Sequence, residues 1–319
     1  MDFHENLAED EVGPSVTPAL RVNGKPEPTA GGDRYLVVGN PIAHSRSPEI
    51  HAAFARQTGQ AVSYQRLLVA VDPPASFAAA LDAFFADGGR GLNVTLPFKT
   101  QAFDYASRHS ERALLAGAVN TLAVQPGGIF GDNTDGPGLV SDLQVRVGLN
   151  LAGRSVLLLG AGGAARGVVM SLLKAGVSEL TVANRTLWRA ERLAAAFNES
   201  PVLLGSGLPR VRGVAQGEAG PADLIVNATS SGVLGGSLLL PPGIFNRCML
   251  AYDCVYGASP SAFMAQALRG GAEQVSDGLG MLVEQAAESF FIWRGVRPST
   301  EPVYRMLRAS ITAADGAAK

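Results

Sequence analysis

The run Arg154-Ser155-Val156-Leu157-Leu158-Leu159 leads straight into Gly160-Ala161-Gly162-Gly163-Ala164-Ala165, and no other junction restricts the fold of this chain so strongly. An unbroken apolar run fits a strand buried on both faces, as in a parallel sheet covered by helices. The segment after it sets Ala165, Val168, Val169, Leu172 and Leu173 on one helical stripe. Strand, glycine loop and helix in that order form the context in which G-x-G-x-x-G/A binds a dinucleotide. Gly160 allows a tight turn, Gly162 lets the backbone approach a pyrophosphate, and small Ala165 permits close helix-to-strand packing. The helix N-terminus adds N–H donors and a positive dipole.

The end of the next strand tells which dinucleotide. An NAD site needs an Asp or Glu there for the ribose hydroxyls. This chain has Asn184-Arg185-Thr186, with Arg189 one turn later. Arg185 and Arg189 can grip a 2′-phosphate that an acid would repel, and Thr186 can donate a hydroxyl. NADP is therefore the expected cofactor.

The same alternation of short apolar runs and helical patterns continues on both sides. Strands are expected at Tyr35 to Val38, Ala61 to Val71, Gly91 to Leu96, Leu180 to Ala183, Leu224 to Val226 and Leu250 to Val255. Helices are expected at Ser76 to Ala86, around Arg189 to Phe197, and at Met281 to Arg294. This pattern implies an α/β protein of two domains, each with a mostly parallel sheet, which a length of 319 residues accommodates. The boundaries fall at 33–136 plus 279–319 for an N-terminal substrate domain to which the C-terminal helices return. Residues 137–278 form a Rossmann-like cofactor domain between them. Residues 1–32 mix Asp, Glu, Pro and Gly without apolar periodicity and are expected to be a mobile extension.

Charge excludes several roles. Acidic residues number 28 and basic ones 26, and no Lys/Arg run offers the footprint of a nucleic-acid binder. Apolar segments fall short of a membrane helix, and the N-terminus lacks a signal peptide's basic start, so a cytoplasmic protein is expected. Cys248 and Cys254 lack metal-ligand spacing, and no metal is expected.

In the first half, Gly39-Asn-Pro-Ile-Ala-His-Ser-Arg-Ser-Pro48 follows the first strand. Ser47 with Pro48 reads as an N-cap and first helical position, while the hydroxyls of Ser45 and Ser47 beside a helix start suit a carboxylate. His44 and His51 read as plain polar residues of a loop and a helix face. Lys99 stands just past a strand that stops at Pro97, and Asp135 precedes Gly136 near the expected crossing between domains. Taken singly, these two would be a solvated charge and a turn residue. Together they offer a proton donor and an orienting carboxylate.

The motifs Asn-Pro-Ile-Ala-His-Ser-Arg-Ser-Pro, Gly-Leu-Asn-Val-Thr-Leu-Pro-Phe-Lys, Gly-Ala-Val-Asn-Thr, Gly-Asp-Asn-Thr-Asp-Gly and Gly-Met-Leu-Val-Glu-Gln-Ala-Ala occur in this order. In them the chain resembles the shikimate dehydrogenases, from about Tyr35 to about Arg308. The resemblance implies reversible reduction of the C3 carbonyl of 3-dehydroshikimate by NADPH, with Lys99 and Asp135 as the catalytic pair. It implies that Ser45 and Ser47 take the substrate carboxylate, that Asn93, Thr95, Asn120 and Gln285 bind its hydroxyls and ring, and that Tyr256 joins them from the other domain. It further implies that Gly160, Ala161, Gly162, Gly163, Ala164, Asn184, Arg185, Thr186, Arg189, Thr229, Cys254, Gly278 and Met281 line the cofactor. Glu111, an acidic residue matched near the lysine, is counted with them. The chain departs from the family's habit at Ala52 and in Gly-Ala-Ser-Pro after Tyr256. The expected partner is a small-molecule substrate, and the expected assembly a monomer or homodimer. An NAD-using quinate/shikimate dehydrogenase is the nearest alternative, disfavoured by Thr186 and Arg189. A non-catalytic NADP-binding module is the other, disfavoured by the presence of both Lys99 and Asp135.

Overall fold

The computed structural model describes residues 32–229 and 238–317, so the expected extension lies outside the described residues but for Gly32. Two six-stranded sheets follow one another along the chain. The first is built from β1 (Asp33–Gly39), α1 (Ser47–Thr58), β2 (Val62–Leu68), α2 (Ala75–Ala86), β3 (Gly89–Val94), α3 (Lys99–Tyr105), the two-residue β4 (Arg108–His109), α4 (Glu111–Ala116), β5 (Thr121–Gln125) and β6 (Gly128–Asp132). Its strand order is β2-β1-β3-β5-β6-β4. β1, β2 and β3 run parallel, whereas β5 is antiparallel to both β3 and β6. The parallel alternation expected from sequence thus gives way to a hairpin, whose turn uses the left-handed backbone of Gly127 at φ 90°.

The helix α5 (Asp135–Ser141) and a π-helical turn, Asp142–Arg146, lead into the second unit. There follow β7 (Ser155–Leu159), α6 (Gly163–Lys174), β8 (Glu179–Asn184), α7 (Leu187–Asn198), β9 (Val211–Ala215), β10 (Leu224–Asn227), β11 (Leu250–Asp253), α8 (Ala262–Arg269) and β12 (Gln274–Asp277). All pairings in this sheet are parallel, in the order β12-β11-β10-β7-β8-β9. That is the doubly wound Rossmann order, with its topological switch between β7 and β10. Every residue of β7 is buried, as its continuous apolar run requires.

The chain then returns. In α9 (Leu279–Arg294), Leu279, Val283, Ala286 and Phe290 pack with Ile50 and Phe54 of α1 and with Val303 and Leu307 of α10 (Glu301–Ala317). Glycines set how closely the helices cross. A Cβ on Gly138 would lie 2.7 Å from the Gln285 amide nitrogen of α9, and one on Gly136 would lie 2.5 Å from the Gly167 carbonyl oxygen of α6. Only bare backbone lets α5 touch both neighbours. At the far end of α5, fully buried Asp142 accepts from Arg146 at 2.5 Å and from the Tyr252 hydroxyl at 2.7 Å. That hydroxyl in turn accepts from the Met281 amide. Among the described residues, no helix is long and apolar enough to cross a membrane.

Candidate active site

The site forms where β3, α3, α5 and α9 converge. Lys99 is the first residue of α3 and Asp135 the first residue of α5. The Lys99 ammonium bonds Asp135 Oδ2, with side chains only 15% and 8% exposed, so the pair is largely withdrawn from solvent. The reading of Asp135 as a turn residue fails because Asp135 opens a helix. Its other oxygen, Oδ1, accepts from Asn120 Nδ2 at 2.8 Å. The same amide nitrogen lies 2.9 Å from Thr134 Oγ1 and 3.4 Å from Gln285 Oε1. Asn120 Oδ1 accepts from the Thr134 amide at 2.8 Å. A carboxylate held on both oxygens in a low-dielectric pocket fixes the ammonium's direction.

Asn93 sits deeper than the resemblance implies. Its Oδ1 accepts from the Tyr64 hydroxyl at 2.7 Å, and its Nδ2 faces Ser289 Oγ at 3.0 Å and Thr121 Oγ1 at 3.2 Å. Protein groups thus occupy both ends of the amide, which makes Asn93 an organiser of the pocket floor. Thr95 follows on the same face of the chain, close enough that a Cβ on Gly39 would lie 2.4 Å from its Cγ2.

The serine loop closes one wall. Ser47 does not cap α1: the residue before the helix is Arg46, with no side-chain cap bond, and Pro48 is the second helical residue. Instead the Ser45 hydroxyl donates to Ser47 Oγ at 3.2 Å and accepts from the Ser47 amide at 3.3 Å. Tyr256, from the loop after β11, packs against the core that contains Ile50 and Phe54, and so lies beside this loop.

His51 departs most from its sequence reading. It is fully buried, stacked on Tyr64 at 4.2 Å between ring centroids, with Trp293 at 5.2 Å and neither ring nitrogen bonded among the described residues. Burial pushes its pKa down to about 3, so it is a neutral wall residue.

The glycine loop lies across from Lys99: a Cβ on Gly163 would be 3.8 Å from Lys99 Cδ. Gly160 has φ 106°, a conformation that disfavours side chains, and a Cβ there would press on the Ala228 carbonyl and on Thr229 Cγ2 at 3.1 and 3.2 Å. Over Gly162 there is open space, and α6 begins with no side-chain cap. Ala161 and Ala164 are half-buried in the same loop. Uncapped amides beneath an unfilled cradle fit a pyrophosphate. Asn184 Nδ2 donates to the Thr186 carbonyl at 2.9 Å, which shapes the turn from which exposed Arg185 and Arg189 project. Neither arginine makes an ion pair among the described residues, which fits a 2′-phosphate site. Gly278 is needed because a Cβ would lie 2.2 Å from the Cys254 carbonyl oxygen. The Cys254 thiol is pushed up to about 12, chiefly by burial and then by Asp253 and Asp135, with Lys99 opposing. It therefore sits near the ion pair.

Glu111 belongs elsewhere. It bonds Lys174 at 2.6 Å, and both side chains are half exposed. Lys174 ends α6, roughly 16 Å of helix away from the glycine loop at its start.

Three family models match this arrangement in chain order. They are the shikimate dehydrogenase substrate binding domain over residues 37–122, shikimate / quinate 5-dehydrogenase over 142–232, and the shikimate 5'-dehydrogenase C-terminal domain over 278–308. A shikimate dehydrogenase (NADP(+)) of Cupriavidus taiwanensis is 53% identical over 289 residues, covering 89% of this chain and 96% of the relative. The chain belongs to the shikimate dehydrogenase family. Solved structures of similar proteins agree. An Ael1 enzyme from Pseudomonas putida is 41% identical with a TM-score of 0.78, covering 86% of this chain and 98% of that one. The shikimate 5-dehydrogenase of Thermus thermophilus, solved with NADP(H) and shikimate, is 35% identical with a TM-score of 0.75, covering 87% and 99%.

Within this family frame, sequence reasoning passed over Tyr64, Thr121, Thr134 and Ser289, which hold Asn93 and Asn120 in place. One signal was available. Ser289 lies one helical turn after Gln285, on the face that meets the pocket, and its hydroxyl donates to the Gln285 carbonyl at 3.0 Å.

Proposed function

We propose that this chain catalyses the reversible NADPH-dependent reduction of 3-dehydroshikimate to shikimate, in the route to chorismate and the aromatic amino acids, as a cytoplasmic enzyme. What carries the reading is the withdrawn Lys99–Asp135 pair standing opposite the open glycine cradle. Residues 33–136 with 279–319 serve as the substrate domain, and residues 137–278 as the cofactor domain.

When bound, NADPH supplies the hydride to the carbonyl carbon. Negative charge then grows on the carbonyl oxygen, and the Lys99 ammonium delivers a proton to it. In the reverse direction Lys99 takes that proton back. Asp135 keeps the ammonium aimed, and Asn120 keeps Asp135 aimed. Ser45 and Ser47 receive the ring carboxylate, so the reacting carbon has one orientation in the cleft. Thr95, Tyr256 and Gln285 face the ring's hydroxyls, with Asn93 fixing the floor beneath.

The test is an assay of the purified protein with shikimate or quinate and NADP or NAD, following reduced cofactor by absorbance, together with the variant Arg185→Glu. Shikimate with NADP should be turned over best. Two charge-assisted contacts to the 2′-phosphate amount to about a hundredfold preference, so Arg185→Glu should weaken NADP far more than NAD. Better turnover of quinate with NAD, or equal loss for both cofactors, contradicts the reading.

A further inference from the structure

Arg66, on the edge strand β2, turns its guanidinium onto the serine loop. Its Nε and Nη2 both donate to the Ser45 carbonyl oxygen, at 2.9 and 2.5 Å. The register explains how it reaches there. Val37 of β1 pairs with Arg66 on one side and Asn93 on the other, so both side chains leave the sheet on the pocket face. The nearest carboxylate, Glu49, is 3.9 Å from Arg66 and already receives two bonds from Arg46, each 3.0 Å. The Arg66 charge is therefore only partly neutralised, and its side chain is 30% exposed. The loop is anchored at its start, where Asn40 donates to the Leu96 and Val69 carbonyls at 2.9 Å each, but around Ser45 the other bonds are local: the Ser45 amide donates to the Ile42 carbonyl at 3.1 Å, and the serines bond each other.

We propose that Arg66 is a positioning residue for carboxylate recognition. It clamps the serine loop so that the hydroxyls of Ser45 and Ser47 converge, and it places a cation behind them. Two hydroxyls alone are neutral donors, and a charge a few ångströms behind them makes the seat selective for an anion. The inference rests on the shikimate reading proposed above and names the element of that site that distinguishes an acid from its ester.

The experiment compares full-length wild type with Arg66→Gln and Arg66→Lys, measuring kcat and KM for shikimate and for its uncharged methyl ester, and binding of NADP by calorimetry. Arg66→Gln should raise KM for shikimate by about tenfold and the ester's KM much less, while kcat and NADP binding stay near wild type. Added salt should raise the wild-type KM for shikimate and affect Arg66→Gln much less. Arg66→Lys, which keeps the charge but not the fork, should retain the salt response and lose part of the affinity. Equal rises in KM for acid and ester, or an unchanged KM for shikimate, overturn the proposal. Wild type that ignores shikimate altogether overturns the functional reading itself, and that result is seen before any variant is made.

Discussion

A histidine whose ring nitrogens meet no partner among the described residues lies fully buried beside Tyr64 and Trp293, and its cost is conditional on pH. Burial lowers the pKa of His51 to about 3, against the ordinary value of about 6.5 for an exposed imidazole. Below the unfolded value the unfolded chain takes up a proton that the folded chain refuses. The stability present above that value is therefore lost as the pH falls from about 6.5 towards 3, amounting to about 2 kcal/mol by about pH 5. His51→Phe keeps an aromatic ring against Tyr64 and removes the titration, so urea unfolding should show a smaller loss between about pH 7 and pH 5 than in wild type. An identical pH dependence would contradict the assignment. The contrast between His51 and Lys99 marks the limit of reading residues singly. Lys99 and Asp135 were singled out by the motifs on either side of them, and their side chains do meet. The burial of His51 depends on Phe290 and Trp293, which come from the other end of the chain. Asn93 was placed in the pocket, but its four protein partners were not foreseen, since they come from β2, from Asn120 just before β5, from β5 itself and from α9.

Elements with one strong period were read correctly, and those governed by close approach were not. β7 and α6 follow from a buried run and one apolar stripe. The β5–β6 hairpin was missed although Gln125-Pro-Gly-Gly128 marks its turn, because its strands were too short to stand out beside the longer runs. Asp135-Gly-Pro-Gly138 looks like a loop, and local propensity supports that. Tertiary packing reverses it: Gly136 and Gly138 are the contact surface of α5 against α6 and α9. Gly138→Ala should therefore force α5 away from Gln285, destabilising the fold by about 1–3 kcal/mol in urea unfolding and lowering turnover as Asp135 shifts. Full stability and full turnover would show that the crossing is slack.

At the scale of the molecule, the first sheet and the doubly wound sheet each contribute one side of a cleft, and α5 and α9 carry the chain between them. The alternating pattern of the sequence disclosed both sheets and the return of α9, whose Phe290 and Val283 join the core around α1. What it left hidden is the joint: Asp142, Arg146, Tyr252 and Ser276 connect three elements through a buried ion pair at a π-helical turn, and no single segment announces such a set. That joint and the glycines of α5 bring Lys99 up to the glycine loop. The measurement that bears most directly on this arrangement is steady-state turnover of shikimate by Lys99→Ala, with NADP binding checked by calorimetry. Turnover should fall at least about a hundredfold while KM and NADP affinity move much less, since general acid help is worth about a hundredfold to ten-thousandfold. A folded Lys99→Ala that binds NADP and turns over at near the wild-type rate would contradict it.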